Sequence, residues 1–382
     1  MYLTARLIGV FTYCIALCST CLLLLQTKNT KKIKWILLVY LIALTAMGYL
    51  YVPDTSADLF RLLRSSELFA SRPFGDLLYY LSKTNTPGAT IYFYFVGLLH
   101  NPHILPALSA FIDFSLLFSI MVSEVKRTPT KGTYVALALF IFMSSSCLMD
   151  SISGIRNMMS YCIIAWCLYR EFALKKNFLA HLPLYLIAAS LHAMGQVLLI
   201  YRVFLFCFEK TSFLGRIFKF IISIALLLLI IVYAQKFLSG ILEKGNGYYT
   251  SNQEGTKEAY IWAIIVSAFK WLVAIYEVKI LFGIRKWIKE HNPSDPLFNM
   301  TRLLLPLIII APILSIFIPI FFGRIMMFVS IFLIPITIML FKSLPTSKSV
   351  KSVAIKLLFL SLITLGISCT RGYLCSLKFF VS

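Results

Sequence analysis

Long, nearly uninterrupted apolar runs constrain the fold of this chain more than any other feature. One helix that crosses the hydrocarbon core of a bilayer needs about 20 mostly apolar residues, and 60% of the 382 residues here are apolar. Only 13% are charged, against about 25% in soluble domains, which excludes a water-soluble globule. The sequence therefore predicts an all-α polytopic membrane protein whose residues 1–382 form a single transmembrane domain.

Twelve apolar runs, separated at charges and at Pro or Gly breaks, are candidate spans. We expect about twelve transmembrane helices, some of them short or broken, with no folded soluble domain between them. The nine cysteines lie mostly in or beside these runs without metal-ligand spacing, so we expect small buried side chains rather than disulfides. The predicted spans are residues 7–25, 33–52, 103–123, 132–149, 154–172, 177–191, 193–208, 217–238, 259–283, 299–321, 324–342 and 353–370.

The basic residues alternate with these runs in a way that predicts topology. Cytoplasmic loops of membrane proteins are enriched in Lys and Arg, so the lysine cluster at residues 28–34 predicts a cytoplasmic first loop and an outer segment after the second span. Continuing the alternation puts more than half of the 36 basic residues on the cytoplasmic side. Topology therefore accounts for much of the net charge of +21, and no nucleic-acid partner is expected.

Two apolar segments do not fit a simple count of spans. Residues 89–100 are too short to cross and end at an Asn-Pro pair, so we expect a re-entrant or interfacial helix on the outer side. Residues 177–208 form either one long helix or two half-length helices broken near His192 and Gly195. The break keeps the basic loops on the cytoplasmic side, and a break at membrane depth would itself indicate a site.

Two segments on the predicted outer side are long enough to matter, residues 53–88 and residues 239–258. The first is predicted to contain an amphipathic helix that lies on the outer interface. Its apolar face comprises Leu59, Leu62, Leu63 and Phe69, and its polar stripe comprises Asp54, Asp58, Arg61 and Ser65.

Two arginines stand at predicted outer ends of spans, where the topology rule gives no reason for them. Arg156 follows Ser-Gly-Ile and Arg324 follows Phe-Phe-Gly, each at the start of an apolar run. Helix N-termini attract anions, and a guanidinium adds bidentate recognition of phosphate. Two such ends together suit a diphosphate. The alternative is that each arginine only extends to the membrane interface.

Three further residues are candidates for acid–base chemistry. His192, between two apolar half-helices, can donate, accept or shuttle a proton, or it is a packed histidine without that role. Asp54 and Asp58 can act as a base toward a hydroxyl group or pair with Arg61, Arg156 or Arg324. The alternative for Asp54 is capping of the amphipathic helix.

Several common catalytic motifs are absent from the sequence. It contains no HExxH, Cys/His metal cluster, P-loop, GxSxG or nucleotide fingerprint, so we expect no metal and no cofactor. The substrate should then arrive already activated in the membrane. A sugar linked to a lipid diphosphate meets that need.

These residues resemble the EpsG/Wzy-like family of bacterial polysaccharide polymerases, which make O-antigen, capsule or exopolysaccharide. The resemblance rests on three stretches of sequence. The first is PDTSADLFRLLRSSELF after the second span, and the third is the late FFGRIMMFVSIFL. The second consists of an Ile-Arg before an apolar span, then a basic turn, then a second apolar run that ends in a histidine. It implies a glycosyltransferase-C-like fold in the bacterial inner (plasma) membrane, with the active site facing the periplasm or exterior.

The resemblance also implies a reaction and partners. The growing glycan would move from undecaprenyl diphosphate to the non-reducing end of an incoming lipid-linked repeat unit. Arg156, Arg324 and Arg61 would bind the diphosphate, while His192 or an aspartate, Asp58 or Asp54, would activate or orient the acceptor hydroxyl. The expected partners are an undecaprenyl-diphosphate-linked oligosaccharide, membrane lipid and a chain-length regulator protein. The loop 239–258 either contacts sugars through Tyr248, Tyr249, Asn252 and Gln253 or is an ordinary exposed loop.

Two other classes of function remain compatible with the sequence. An O-antigen ligase or a membrane O-acyltransferase would use His192 in a different transfer. A flippase or transporter of lipid-linked sugars would use Asp113 and Lys270, which lie near the middles of their predicted spans and can pair with each other. Clustering of Arg156, His192 and Arg324 toward one face favours chemistry there over a path through the midplane.

Overall fold

The computed structural model describes residues 2–54, 57–144, 147–208, 281–291, 295–317, 320–343, 348–370 and 377–379, with isolated positions between 215 and 279. In these residues the regular structure is helical, apart from one isolated bridge between Tyr51 and Phe379. The helices are α1 (Tyr2–Leu25), α2 (Thr30–Leu50), α3 (Asp58–Ala70), α4 (Phe74–Lys83), α5 (Pro87–Gly97), α6 (Ile104–Arg127), α7 (Gly132–Met143), α8 (Cys147–Ser153), α9 (Ile155–Phe172), α10 (Phe178–Leu191), α11 (Ala193–Phe208), α12 (Pro296–Phe317), α13 (Ile320–Phe332), α14 (Ile334–Ser343) and α15 (Lys348–Thr370).

Three of the described helices are long and apolar enough to cross a membrane by themselves: Arg6–Leu25, Thr30–Leu50 and Ile104–Arg127. A fourth crossing, or a re-entrant loop, is formed by α13 and α14, which bend by 50° at their junction. The other apolar helices are shorter. A helical membrane protein is therefore supported, but the predicted count of twelve spans is not confirmed. The predicted spans 217–238 and 259–283 lie largely, and the loop 239–258 entirely, outside the described residues.

The three long helices pack in antiparallel pairs, α2 with α6 and α1 with the shorter α7. Tyr40 of α2 stacks on Phe118 of α6 with ring centroids 5.8 Å apart, and Gly48 of α2 faces the start of α6. A Cβ at Gly48 would lie 3.0 Å from the Pro106 carbonyl oxygen, so the missing side chain permits this close approach. In the second pair, the Tyr13 hydroxyl of α1 donates to the carbonyl of Met143 at the end of α7 (2.7 Å).

The predicted span 132–149 is divided between two helices. α7 ends at Met143, and its 12 residues extend only about 18 Å, well short of a hydrocarbon core about 30 Å thick. The seven-residue α8 begins at Cys147 and packs against α6. α9 then begins at Ile155, immediately after Gly154.

Helices α9, α10 and α11 run back and forth as three antiparallel neighbours. Ser160 of α9 donates to the carbonyl of Ala188 in α10 (2.9 Å), and Phe178 at the start of α10 meets Phe206 near the end of α11, with ring centroids 4.7 Å apart. The chain reverses at His192, whose backbone is extended (φ −153°, ψ 147°). The predicted break is confirmed, and the alternative of one long helix is wrong.

Gly195 explains why this reversal can be so tight. A Cβ at this position would overlap the Ala188 carbonyl oxygen and the Ser160 hydroxyl. Only glycine therefore lets the start of α11 lie against α10 and α9.

Three short helices, α3, α4 and α5, precede α6. The amphipathic helix predicted within residues 53–88 is confirmed as α3, in which Leu59 is buried while Arg61 is exposed. However, α3 begins at Asp58 with Ala57 at its N-cap, so Asp54 neither belongs to the helical stripe nor caps the helix. α5 replaces the predicted helix 89–100, and its 11 residues extend about 16 Å, too short to cross.

The C-terminal residues 377–379 return to the beginning of the chain. The Val52 N–H donates to the Lys378 carbonyl (3.0 Å), and Tyr51 and Phe379 form the isolated bridge. Gly9 in α1 makes room for this segment, because a Cβ there would overlap the Leu377 carbonyl. The first two helices are thereby tied to the last residues described.

Candidate functional site

Three chain segments meet at one end of the helical assembly. α9 begins there, and the chain reverses there between α10 and α11. The contact between Ser160 near the start of α9 and Ala188 near the end of α10 shows that the two places coincide. α13 runs parallel to α9, with the rings of Tyr161 and Phe328 5.9 Å apart. Residues one turn earlier in α9 and α13 are Arg156 and Arg324, so the two predicted arginines and His192 share this end.

Arg324 and His192 are in contact although 132 residues separate them. Nη1 of Arg324 lies 3.3 Å from Nε2 of His192. The histidine is only 7% exposed, whereas Arg324 is half-buried. The sequence pointed to these two side chains independently, and in the structure they form one unit at the tip of the α10–α11 hairpin.

The backbone beside His192 favours one tautomer of its ring. The Met194 N–H donates to Nδ1 of the ring (3.1 Å). A neutral imidazole has one N–H and one acceptor nitrogen, and a guanidinium can only donate, so the Met194 and Arg324 contacts cannot both be hydrogen bonds to the ring. The backbone contact is the shorter of the two and favours the proton on Nε2, the nitrogen that faces Arg324. An N–H of the ring and an N–H of the guanidinium then point into the same space. An anionic oxygen there can accept from both.

Arg156 adds a second guanidinium to this end. It is half-buried in the first turn of α9, after Gly154 at the N-cap, and it is close enough to Arg324 and Arg61 for their charges to repel. Like charges at a partly buried site raise the free energy of the empty site and favour a bound anion. The N-terminal N–H groups of α9 act in the same direction.

The predicted aspartates lie in two different places. Asp58 forms an ion pair with Arg61 one turn away on the exposed side of α3. Asp54 instead forms ion pairs with Arg6 of α1, at 3.2 Å, and with Lys378. Asp58 is thus connected to the arginines of the site, whereas the ion pairs of Asp54 join the ends of the chain.

Asp113 and Ser151 form a buried contact, of which the sequence had indicated only Asp113. Asp113 is fully buried in α6 and accepts a hydrogen bond from the Ser151 hydroxyl (2.6 Å). Because Ser151 belongs to α8, directly before Gly154, this bond holds the segment that leads into Arg156. The predicted partner Lys270 lies outside the described residues. Asp113 stood out as a charge within an apolar run, but nothing in the sequence marks Ser151.

A second connection fixes the hairpin tip. The Gln196 amide, one turn after His192, donates to the Asn85 carbonyl just before α5 (3.0 Å). At the same place Gly88 lies against Ser190, where a Cβ would overlap the serine hydroxyl. No pattern in the sequence had indicated this contact between the short helices and the site.

Buried ion pairs occupy the opposite end of the assembly. Arg127 of α6 pairs with Glu124 (2.8 Å) and with Asp295 before α12 (3.3 Å). Arg202 of α11 pairs with Glu171 of α9 (2.7 Å). Both arginines belong to the basic residues that the alternation of spans predicts on the cytoplasmic side, and in the structure carboxylates neutralise them. Within the described part of the chain, no group of three or more His, Cys, Asp and Glu side chains is arranged to hold a metal ion.

Comparison with known proteins identifies the family. A sequence profile of the EpsG family matches residues 77–378. The chain belongs to the EpsG family. No curated protein and no solved structure matches it. EpsG membership confirms the resemblance found in the sequence and indicates a membrane protein of polysaccharide biosynthesis with glycosyltransferase-like polymerase activity.

The EpsG match also separates the candidate residues. Arg156, His192 and Arg324 fall inside residues 77–378, whereas Asp54, Asp58 and Arg61 precede them. The region shared with the family thus contains the three residues that meet at the hairpin tip. For this kind of polymerase, the substrate is in general a lipid-linked oligosaccharide.

Proposed function

We propose that this chain is a polysaccharide polymerase that transfers a growing glycan from undecaprenyl diphosphate to an incoming lipid-linked repeat unit. EpsG membership supports the reaction class. The observation that carries the assignment of the site is the contact between Arg324 and His192, 3.3 Å apart, beside Arg156. Three donor side chains at one end suit a diphosphate leaving group.

The transfer exchanges one carbon–oxygen bond for another. The oxygen of the acceptor hydroxyl attacks the anomeric carbon of the donor glycan, and the bond from that carbon to the diphosphate oxygen breaks. The bonding electrons leave with the diphosphate, so negative charge develops there. Arg156 and Arg324 stabilise this charge, and Nε2–H of His192 donates to a phosphate oxygen.

The assigned tautomer favours the donor role for His192 over the role of base. With its proton on Nε2, the ring presents an N–H to the site, and its other nitrogen already accepts from the Met194 N–H. The hydroxyl proton then passes to a carboxylate, for which Asp58 is the candidate, or to the departing diphosphate. Arg61 holds the Asp58 carboxylate, and Asp54 contributes through its ion pairs rather than at the reaction.

The proposed location is the bacterial inner or plasma membrane, with the site toward the periplasm or exterior. Arg127 and Arg202 lie at the end of the assembly opposite to Arg156, His192 and Arg324. If the basic loops are cytoplasmic, the donor cluster faces outward, where flipped lipid-linked units are available. A chain-length regulator is a proposed partner at that face.

The decisive experiment is polymerisation with purified protein. A synthetic polyprenyl-diphosphate repeat unit is incubated with the wild type, Arg324→Ala and Arg302→Ala, with and without EDTA, and product length is read on gels. Arg302 is an exposed arginine of α12 that serves as the matched control. We expect a metal-independent ladder from the wild type and the control and none from Arg324→Ala.

Other outcomes would replace the proposal. Transfer of glycan to lipid A core would indicate a ligase, and transfer of acetyl groups to glycan would indicate an acyltransferase. Transport of lipid-linked units without any polymer would indicate a flippase. Equal ladders from all three proteins would exclude Arg324 from the reaction.

A further inference from the structure

A cavity of about 470 Å³ opens at the end of the assembly opposite to the candidate site. The last turn of α9, the start of α10 and the later part of α11 contribute to its wall, together with residues of α12. Glu171 in this wall lies 15 positions after Arg156 on α9, which corresponds to about 22 Å along the helix axis. The cavity is therefore separate from the donor cluster.

The inner wall of this cavity contains a buried ion pair, whose two charges cancel. Arg202 and Glu171 form an ion pair at 2.7 Å with both side chains 3% exposed. The guanidinium of Arg202 also lies 4.5 Å from the ring centre of Phe178 and 5.1 Å from that of Phe172. The arginine is thus already balanced by a carboxylate and by two aromatic faces.

The rim of the cavity carries two further positive charges, Lys175 and Lys176. Both are exposed and lie in the turn between α9 and α10. Lys175 adopts a left-handed backbone (φ 55°), and the Lys176 N–H donates to the Arg170 carbonyl (3.0 Å), which fixes the turn. In the part of the chain that the structure describes, neither lysine forms an ion pair. With Glu171 and Arg202 cancelling, the cavity has a net positive charge.

We propose that this cavity binds the phosphate group of an anionic membrane lipid. Basic pockets between membrane helices are suited to lipid head groups because cations face the phosphate while apolar walls face the chains. Here Lys175 and Lys176 supply the cations, the exposed amide of Asn299 a donor, and Phe172 and Phe178 the apolar wall. The volume also suits a small ligand, since ligand pockets enclose about 300–1,000 Å³.

A lipid is favoured over a soluble phosphate ester by the position of the cavity. It lies at the ends of short apolar helices, where lipid head groups surround a membrane protein. Both sources share the same phosphate chemistry, so the experiment must distinguish them. The proposal is independent of the polymerase activity, because none of its residues belongs to the donor cluster.

The test compares binding of phosphatidylglycerol to two double variants of the full chain. In Lys175→Gln/Lys176→Gln the rim loses both charges, whereas Lys31→Gln/Lys32→Gln removes two exposed lysines of the first turn of α2 as the matched control. Lipid retention is measured by native mass spectrometry, and the thermal midpoint in phosphatidylcholine nanodiscs checks that all proteins are folded. Each lysine beside an anionic group contributes roughly fivefold to affinity, so we expect about 30-fold weaker retention in the rim variant.

A soluble arm uses glycerol 1-phosphate at constant ionic strength. Rim-dependent binding of phosphatidylglycerol without a rim-dependent effect of glycerol phosphate supports the lipid. If glycerol phosphate alone binds in a rim-dependent way, the lipid source is overturned. Equal retention by the two double variants, both folded, overturns the site altogether.

Discussion

The role of His192 as a hydrogen-bond donor can be tested by choosing which ring nitrogen a substitution imitates. The amide nitrogen of Gln reaches the position of Nε2, whereas the amide of Asn imitates Nδ1. His192→Gln therefore keeps a donor toward the diphosphate and loses the acceptor for the Met194 N–H, while His192→Asn loses the donor. Removal of one donor to a developing oxyanion lowers kcat by about 10²–10³, and one neutral hydrogen bond is worth about 1 kcal/mol, or roughly fivefold.

We expect kcat of His192→Gln to fall about fivefold and that of His192→Asn about 10²–10³-fold. The assay is initial-rate polymerisation of the synthetic repeat unit in nanodiscs across a range of pH, with His181→Gln as a control for the loss of a buried histidine elsewhere. A donor leaves the pH profile of His192→Gln parallel to that of the wild type.

A general base gives a different pattern. Neither amide can accept a proton, so both variants would lose activity equally, and the acidic limb of the wild-type profile would disappear in them. Equal losses together with a changed acidic limb would refute the assignment of the proton to Nε2.

Three further predictions concern the framework around the site. Glu171→Gln leaves Arg202 buried without its carboxylate and should lower the free energy of unfolding by about 3–5 kcal/mol. Glu171→Gln combined with Arg202→Met should recover much of this lost stability. Denaturant titration of the purified variants measures both free energies. Gly195→Ala forces a Cβ into the Ala188 carbonyl and should destabilise the hairpin by about 1–3 kcal/mol or more, seen as a lower thermal midpoint, whereas Gly283→Ala, where a Cβ meets nothing within 4 Å, should not. The Sγ atoms of Cys14 and Cys369 lie 3.8 Å apart, so a membrane-permeant oxidant should join α1 to α15, detected as a loss of two free thiols that Cys14→Ser prevents.

Local features of the site were predictable because they depend on short stretches of sequence. A polar His and a Gly between two apolar runs predicted the break at His192, and Gly-Ile-Arg predicted the cationic start of α9. The prediction for Arg324 was wrong in detail, because α13 begins at Ile320 and Arg324 lies one turn inside it. The contact between His192 and Arg324 was not predictable as a distance, since it joins residues 132 positions apart. Their shared depth followed only from the alternation of spans.

Other features could not be predicted, chiefly pairs between residues that lie far apart in the chain. Asp54 was assigned to a helical stripe by its spacing, but its partners Arg6 and Lys378 lie 48 and 324 positions away. Arg202 was interpreted as a topology signal because charge bias alone cannot reveal a carboxylate on a neighbouring helix. α7 was predicted as part of a full span, since its apolar run continues into α8 and periodicity does not mark where a helix ends.

The return of residues 377–379 to the start of the chain has a consequence for biogenesis. Asp54 is synthesised early, but Lys378 becomes available only 324 positions later. At about 5–20 residues per second, roughly 16–65 s pass before the ribosome supplies that partner. Until then, of the two ion pairs of Asp54, the one with Arg6 can form and the one with Lys378 cannot. Closure of the contact between Val52 and Lys378 is therefore a late event of assembly, which follows insertion of α15.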